Sequence, residues 1–179
     1  DLVQDNHLPC LICITKMDRE RAIFQETVNE IKQAFDLNPV VLYLPIGAEK
    51  DFIGVVDIIN NRALLFRGDG TVDEAEVPED MVDEVATRRE NMMEHVAETD
   101  DDLIEHFLEE GELTTEELKA GLAAAVRQAK IAPVLPCSAL NNGGSSLILD
   151  TIVDLFPAPD ERPAMIGTNL QTRDLVELP

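Results

Sequence analysis

The sequence predicts an α/β domain on a parallel sheet, interrupted by an inserted α+β block. Three observations predict it. Leu11, Ile12, Cys13 and Ile14 form an unbroken apolar run, as in a strand covered on both faces. The run passes without a turn signal into the polar Thr15-Lys16-Met17-Asp18. A second strand of this kind, 131–136, is followed by a loop, a turn and a helix, so the pattern resumes late in the chain. Between the two, short strands and then helical periodicities form a block with its own organisation.

Residues 1–7 are a polar lead-in without a cap or a complete turn. A parallel-sheet protein seldom starts one strand before its site, so a preceding portion is expected to be missing. In 20–35, Phe24, Val28, Ile31 and Phe35 recur at steps of four, three and four, which is one helical face. Asn38-Pro39 ends that helix; 40–46 reads as a strand, and after Gly47 a second runs over 52–59. Residues 62–66 and 71–77 flank Gly68-Asp69-Gly70, a hairpin turn.

Pro78 suits a first helical turn, and Glu79 and Asp80 suit the positive end of a helix reaching about residue 98. Met81, Val85, Met92 and Val96 gather on one side of it. Glu90, Glu94 and Glu98 stack opposite, with Asp101 continuing the line if the helix persists. Asp100-Asp101-Asp102 is a helix start, 103–108 a short helix, and Thr114-x-x-Glu117 a capping box opening a helix to about 128. After the strand 131–136 come the loop 137–140, the Asn141-Asn142-Gly143-Gly144 turn and a helix over 145–156, stopped by Pro157-Ala158-Pro159.

Hydrophobic residues make up 45% of the 179, but aromatics only 4% with no Trp, so the core must be aliphatic. Lys plus Arg number 14 against 36 Asp plus Glu, a net charge of -22. Without a basic patch, which the sequence lacks, this disfavours direct binding to nucleic acid; it favours basic protein partners met in fast electrostatic encounters. No apolar stretch is long enough to span a membrane, no signal pattern opens the chain, and the expected location is cytoplasmic.

Cys10 and Cys13, three apart in a predicted strand, should face opposite sides and share neither metal nor bond; the sparse, odd count of 3 suits a reducing compartment. His7, His95 and His106 have no ligand pairing, and 69–73 lacks the Gly and distal Glu of a calcium loop, so no metal site is expected. Arg67-Gly68-Asp69 matches an adhesion motif in letters only. Neither G-x-S-x-G nor the phosphate-cradling G-x-x-x-x-G-K-[ST] is present.

Lys16 and Asp18, spaced i, i+2 at the carboxyl end of a buried strand, stand where open α/β sheets bind ligands. A carboxylate offers paired acceptors that suit the ring N–H and exocyclic amine of guanine, whereas adenine has no such donor pair. The Lys stem can lie along the flat base. A strand end followed by a polar tetrapeptide is also the ordinary look of a solvated edge, and an acidic stripe is usually a solvated face.

Further motifs, in order, carry a resemblance. They are Thr15-Lys16-Met17-Asp18-Arg19, Leu44-Pro45-Ile46-Gly47-Ala48-Glu49 with Phe52-Ile53-Gly54-Val55-Val56-Asp57, Glu98-Thr99-Asp100-Asp101-Asp102-Leu103 and Gly111-Glu112-Leu113-Thr114. Cys137-Ser138-Ala139-Leu140 with Asn142-Gly143, and Leu155-Phe156-Pro157-Ala158-Pro159, complete the set. Across nearly the whole chain they closely resemble bacterial translation elongation factor G.

The resemblance implies the carboxy-terminal part of a P-loop GTPase domain, which in that family drives ribosomal translocation. Residues 1–37 would carry the fourth guanine motif, 38–130 the inserted α+β subdomain, 131–160 the fifth motif, and 161–179 a linker toward the next domain. Thr15, Lys16, Asp18, Ser138, Ala139 and Leu140 would bind GTP or GDP: Asp18 reading guanine, Lys16 covering it, and the Ala139 N–H meeting the base carbonyl. Thr15 stands where the family usually has Asn, as in a paralogous elongation-factor-G-like branch.

The family's phosphate loop and switch segments would precede these residues. Magnesium could be held only through them, and the chain alone is expected not to hydrolyse GTP. Glu94, Glu98 and Asp101 match acidic positions that contact the basic carboxy-terminal domain of the ribosomal stalk protein. The alternatives are a stalk-binding module without GTPase activity, a release-factor-3-type factor, or a tetracycline-resistance-type ribosomal protection protein.

Overall fold

The computed structural model describes residues 3, 6–35, 37–158, 161, 165–168 and 175–178. Its first sheet is parallel: β1 (Ile12–Ile14) and β2 (Pro39–Val41) flank β7 (Ala132–Pro136), whose residues are all buried. Ile12 and Val41 both stand opposite Val134. The central strand holds two prolines, which lack the N–H a ladder needs. Donors alternate along it: Ala132 N donates to Asn38 O and Cys137 N to Ile14 O. Pro133 therefore faces the β1 side before that ladder starts at Val134, and Pro136 faces the β2 side after that ladder has ended.

Helix α1 (Phe24–Ala34) starts later than the periodicity suggests. The chain first turns twice, Arg19 N to Lys16 O and Ala22 N to Arg19 O, and Arg21 is left-handed at φ 66°. Phe24 and Val28 are buried as expected, but Phe35 is 52% exposed. The helix has stopped before it, with Phe35 extended at φ -124°, so its side chain leaves the face.

The strand expected over 40–46 is two strands in different sheets. β2 lies in the parallel sheet, while β3 (Tyr43–Ile46) opens an antiparallel sheet with β4 (Gly54–Asp57), β5 (Arg62–Phe66) and β6 (Val72–Ala75), paired in chain order. Leu42 joins them: its N–H donates to Val134 O and its carbonyl accepts from Ile58 N, both at 3.1 Å. At Gly47, φ is +75° and an added Cβ would lie 1.9 Å from Asp51 O, so the turn into β4 requires glycine.

A helical layer follows. Pro78 is extended, and a 3-10 turn (Glu79–Met81) leads into α2 (Val82–Ala97), so the helix begins later than Pro78 suggests. Val85, Met92 and Val96 are buried with Met93 and Ala97, while Glu90, Glu94 and Glu98 are exposed. The helix does not persist to Asp101. Thr99 Oγ1 donates to Val96 O, and Asp100 caps a separate helix, α3 (Asp101–Glu110), accepting from Asp102 N and Leu103 N.

Thr114 and Glu117 form the reciprocal capping box that opens α4 (Thr115–Arg127), of a kind typically worth about 1 kcal/mol. Helix α2 packs on α1's neighbour β2 and on α3 and α4, and α4 meets α5 (Ser145–Leu155). This joins both sheets through one core that is aliphatic apart from Phe24 and Phe52 among its buried residues.

Within 161–179, expected as a linker, β8 (Met165–Thr168) pairs antiparallel with β9 (Leu175–Leu178). Cys10 lies outside β1, so the opposite-face reasoning does not apply to it; Cys10, Cys13 and Cys137 are all free thiols. Pro159 and part of the lead-in lie outside the described residues. No helix among the described residues is long and apolar enough to cross a membrane.

Candidate functional site

Two loops leave neighbouring strands at the same edge of the parallel sheet: 15–23 after β1 and 137–144 after β7. Backbone bonds tie their roots, Cys137 N to Ile14 O at 2.9 Å and Met17 N to Cys137 O at 3.3 Å. Met17 is the anchor at 2% exposure. Its neighbour Lys16 is exposed and Asp18 half-buried, so burying the apolar residue leaves the polar ones at the surface. Lys16 holds φ +64°, a left-handed conformation that a non-glycine residue adopts uncommonly.

Across 120 residues of sequence, Ser138 Oγ donates to Asp18 Oδ1 at 2.5 Å. Ser138 is 1% exposed, and its hydroxyl also accepts from Asn141 N at 3.3 Å. Its backbone forms a two-way bridge with Gly143, each N–H···O distance 2.9 Å. Asp18 Oδ2 has no hydrogen-bond partner among the described residues. The loop is thus closed on itself and latched to the carboxylate, with acceptor capacity to spare.

Asp18, Leu140 and Asn141 line a cleft of about 680 Å³ with Arg19, Glu20 and Lys50. Thr15 and Lys16 line an adjoining cleft of about 420 Å³ along the open side of β1, with Arg21 and Ile23. Asp18, Ser138 and Leu140 are therefore brought together, with Thr15 and Lys16 next door. Ala139 is exposed at the loop's turn, its carbonyl accepting from Asn142 N, and Leu140 is 81% exposed beside the cleft. Glu94 in the last turn of α2 and Glu98 at its C-cap stand one turn apart, with Asp101 on the next helix.

Beneath the loops, burial and then the neighbouring Cys13 push the Cys137 thiol up to about 11, and burial raises Cys13 too. Neither supplies a thiolate at neutral pH. Among the described residues, no group of three or more His, Cys, Asp or Glu is placed to hold a metal ion.

Glu49, Lys50, Phe66 and Asn141 were not marked as site residues by the sequence. Glu49 Oε1 accepts from Arg21 N at 2.8 Å, and the Phe66 ring lies against Gly143. The one signal was Gly143, which the sequence presents in the 141–144 turn and in the Asn142-Gly143 pair of the resemblance.

Residues 1–158 match the family described as the elongation factor Tu GTP binding domain. The chain belongs to that family. It is a P-loop GTPase fold of the translational GTPases, a family that binds guanine nucleotide. The chain is also similar to a crystal structure from Thermus thermophilus, with a TM-score of 0.80 and 27% identity over 90% of this chain. It spans 24% of the length of that structure.

Proposed function

We propose that this chain is the base-reading part of the GTP-binding domain of an elongation-factor-G-like ribosomal GTPase. The supporting observation is the 2.5 Å bond from Ser138 Oγ to Asp18 Oδ1. Asp18 accepts from the ring N–H and amine of guanine while Ser138 fixes its rotamer; each carboxylate oxygen has lone pairs for both tasks. Lys16 lays its stem over the base, and the Ala139 N–H meets the base carbonyl. Thr15, with one hydroxyl where the family usually has an amide, forgoes bridging hydrogen bonds worth about 1 kcal/mol.

Hydrolysis in this reading belongs to a longer protein whose other segments cradle the phosphates and magnesium. The block 38–130 is the inserted subdomain, and its antiparallel sheet is entered from β2 across Leu42. A second role rests on the exposure of Glu94, Glu98 and Asp101 opposite a buried stripe: this acidic face docks on the basic carboxy-terminal domain of the ribosomal stalk protein.

Titrating GDP and ADP into the labelled chain tests the base site by NMR. GDP should move the amides of Asp18 and of 138–140, with affinity weaker than about micromolar because phosphate contacts at a helix N-terminus are missing. Equal shifts with ADP would contradict it.

A further inference from the structure

The hairpin joining β5 to β6 has a tip closed by its own hydrogen bonds. Arg67 N donates to Thr71 O, Asp69 Oδ1 accepts from both Thr71 N at 2.9 Å and Thr71 Oγ1 at 2.6 Å, and Arg67 Nε donates to Asp73 Oδ2 at 2.6 Å. Its root is Phe66, whose N–H donates to Ile53 O and whose ring meets Phe52 edge-on at 5.3 Å. Phe52 is 4% exposed, so the Phe66 ring is backed by the core.

This tip rests on the second loop of the base site. A Cβ on Gly143 would lie 2.8 Å from Phe66 Cδ2 and 3.0 Å from Cε2, closer than side chains pack, so the ring touches bare backbone there. A Cβ on Gly70 would likewise lie 2.9 Å from Asn142 Nδ2. Gly143 is the residue whose backbone bridges Ser138, and Ser138 holds Asp18. The connection from β3 to β4 in the same sheet reaches the first loop too, where Glu49, in a 3-10 turn, accepts at Oε1 from Arg21 N.

We propose that Phe66 and Glu49 are positioning residues for guanine recognition: the inserted sheet braces both base loops from behind, Phe66 through Gly143 and Ser138, Glu49 through Arg21. A loop of this kind is otherwise drawn from the least stable part of a fold, and its affinity falls by the fraction of time it spends misplaced. The inference rests on the base-site reading above, and it adds that Phe66 and Glu49, both in the insertion, set the affinity of that site from outside the clefts it lines.

The test uses the labelled chain, hydrogen exchange and GDP titration. In Phe66→Ala, exchange of the Ser138 and Gly143 amides should quicken by roughly tenfold, and the GDP dissociation constant should rise several-fold. Phe66→Leu, which keeps apolar bulk, should recover most of both. Val85→Ala, a core truncation in α2, should destabilise the chain without raising the GDP constant, which separates bracing from general loosening. Glu49→Gln, which keeps the acceptor, should bind GDP as the original does, and Glu49→Ala should bind more weakly. Unchanged exchange in Phe66→Ala, or faster exchange with unchanged GDP binding, would overturn the brace. No guanine-dependent shift in the unmodified chain would instead overturn the base-site reading, and with it any effect of bracing on affinity.

Discussion

The two sheets reach the same core by opposite means. The antiparallel sheet is sequential, β3 to β6 paired in chain order with connections of a few residues. The parallel sheet is assembled from remote pieces, and the bond that closes its site joins residues 120 apart. Loop-closure entropy grows only logarithmically, so the remote pairing costs little more in stability than a shorter one, but its contacts form late. The lesson is a division of labour. The locally paired sheet is held by strands close in sequence, whereas the parallel strands end in exposed loops whose geometry depends on distant partners.

Leu42 is where this division can be broken most severely. It is 2% exposed and bonds to both sheets. Leu42→Ala should cost about 2–5 kcal/mol, the range for emptying a buried leucine site. If the sheets are one cooperative unit, urea unfolding followed at probes in each should shift together. Separate midpoints would show that the antiparallel block holds without the parallel one.

A second comparison sets the buried face of α2 against its exposed one. Glu94→Lys, Glu98→Lys and Asp101→Lys together should slow association with the stalk domain by about tenfold at low salt, because rim charges act chiefly on encounter rate. The melting temperature should hardly move, since exposed pairs are worth only about 0–1 kcal/mol. Stopped-flow association at two ionic strengths checks this. The unmodified chain should lose rate as salt rises, and a triple variant that associates as fast would leave the stripe a solvated face.

The smallest effect concerns the helical layer in acid. Hydrogen bonds from Thr114, side chain first and backbone second, hold the Glu117 carboxyl below the ordinary glutamate range. The folded value lies below the unfolded one, so the capping box contributes its full stability above the ordinary range, about pH 4.3. The contribution fades as pH falls further, through the depressed value. Thr114→Ala should therefore lower stability at pH 7, and the difference should narrow in acid. Urea midpoints of both proteins across pH 3–7 read it out.

Much of this was legible in the sequence because the signals were local. The capping box, the helix start at 100–102, the hairpin turn and, apart from half-buried Met81 just before α2, the buried stripe each depend on residues within a few positions of one another, and each stands in the structure. The strand ends bearing Asp18 and Ser138 were legible for the same reason. Where strands pair remotely, local patterning failed. The run 40–46 is uniformly apolar and gives no sign that Leu42 passes the chain between sheets. Asp101 looked collinear with Glu98 because helical arithmetic cannot see that Asp100 restarts the helix. Nothing local to Phe66 or Glu49 points to a site; only the fold brings them to the base loops.

The central claim is that Asp18, latched by Ser138, reads the hydrogen-bonding edge of guanine. Asp18→Asn tests it most directly, because the amide donates where the carboxylate accepted, and xanthine has a carbonyl where guanine has an amine. Binding of GDP and XDP to the original and the variant, followed by NMR titration, gives the ratio. The account predicts that GDP preference reverses toward XDP by about tenfold or more, as expected when polar groups in a site are mismatched. A GDP-to-XDP ratio unchanged by the substitution would contradict it and remove Asp18 from the base site.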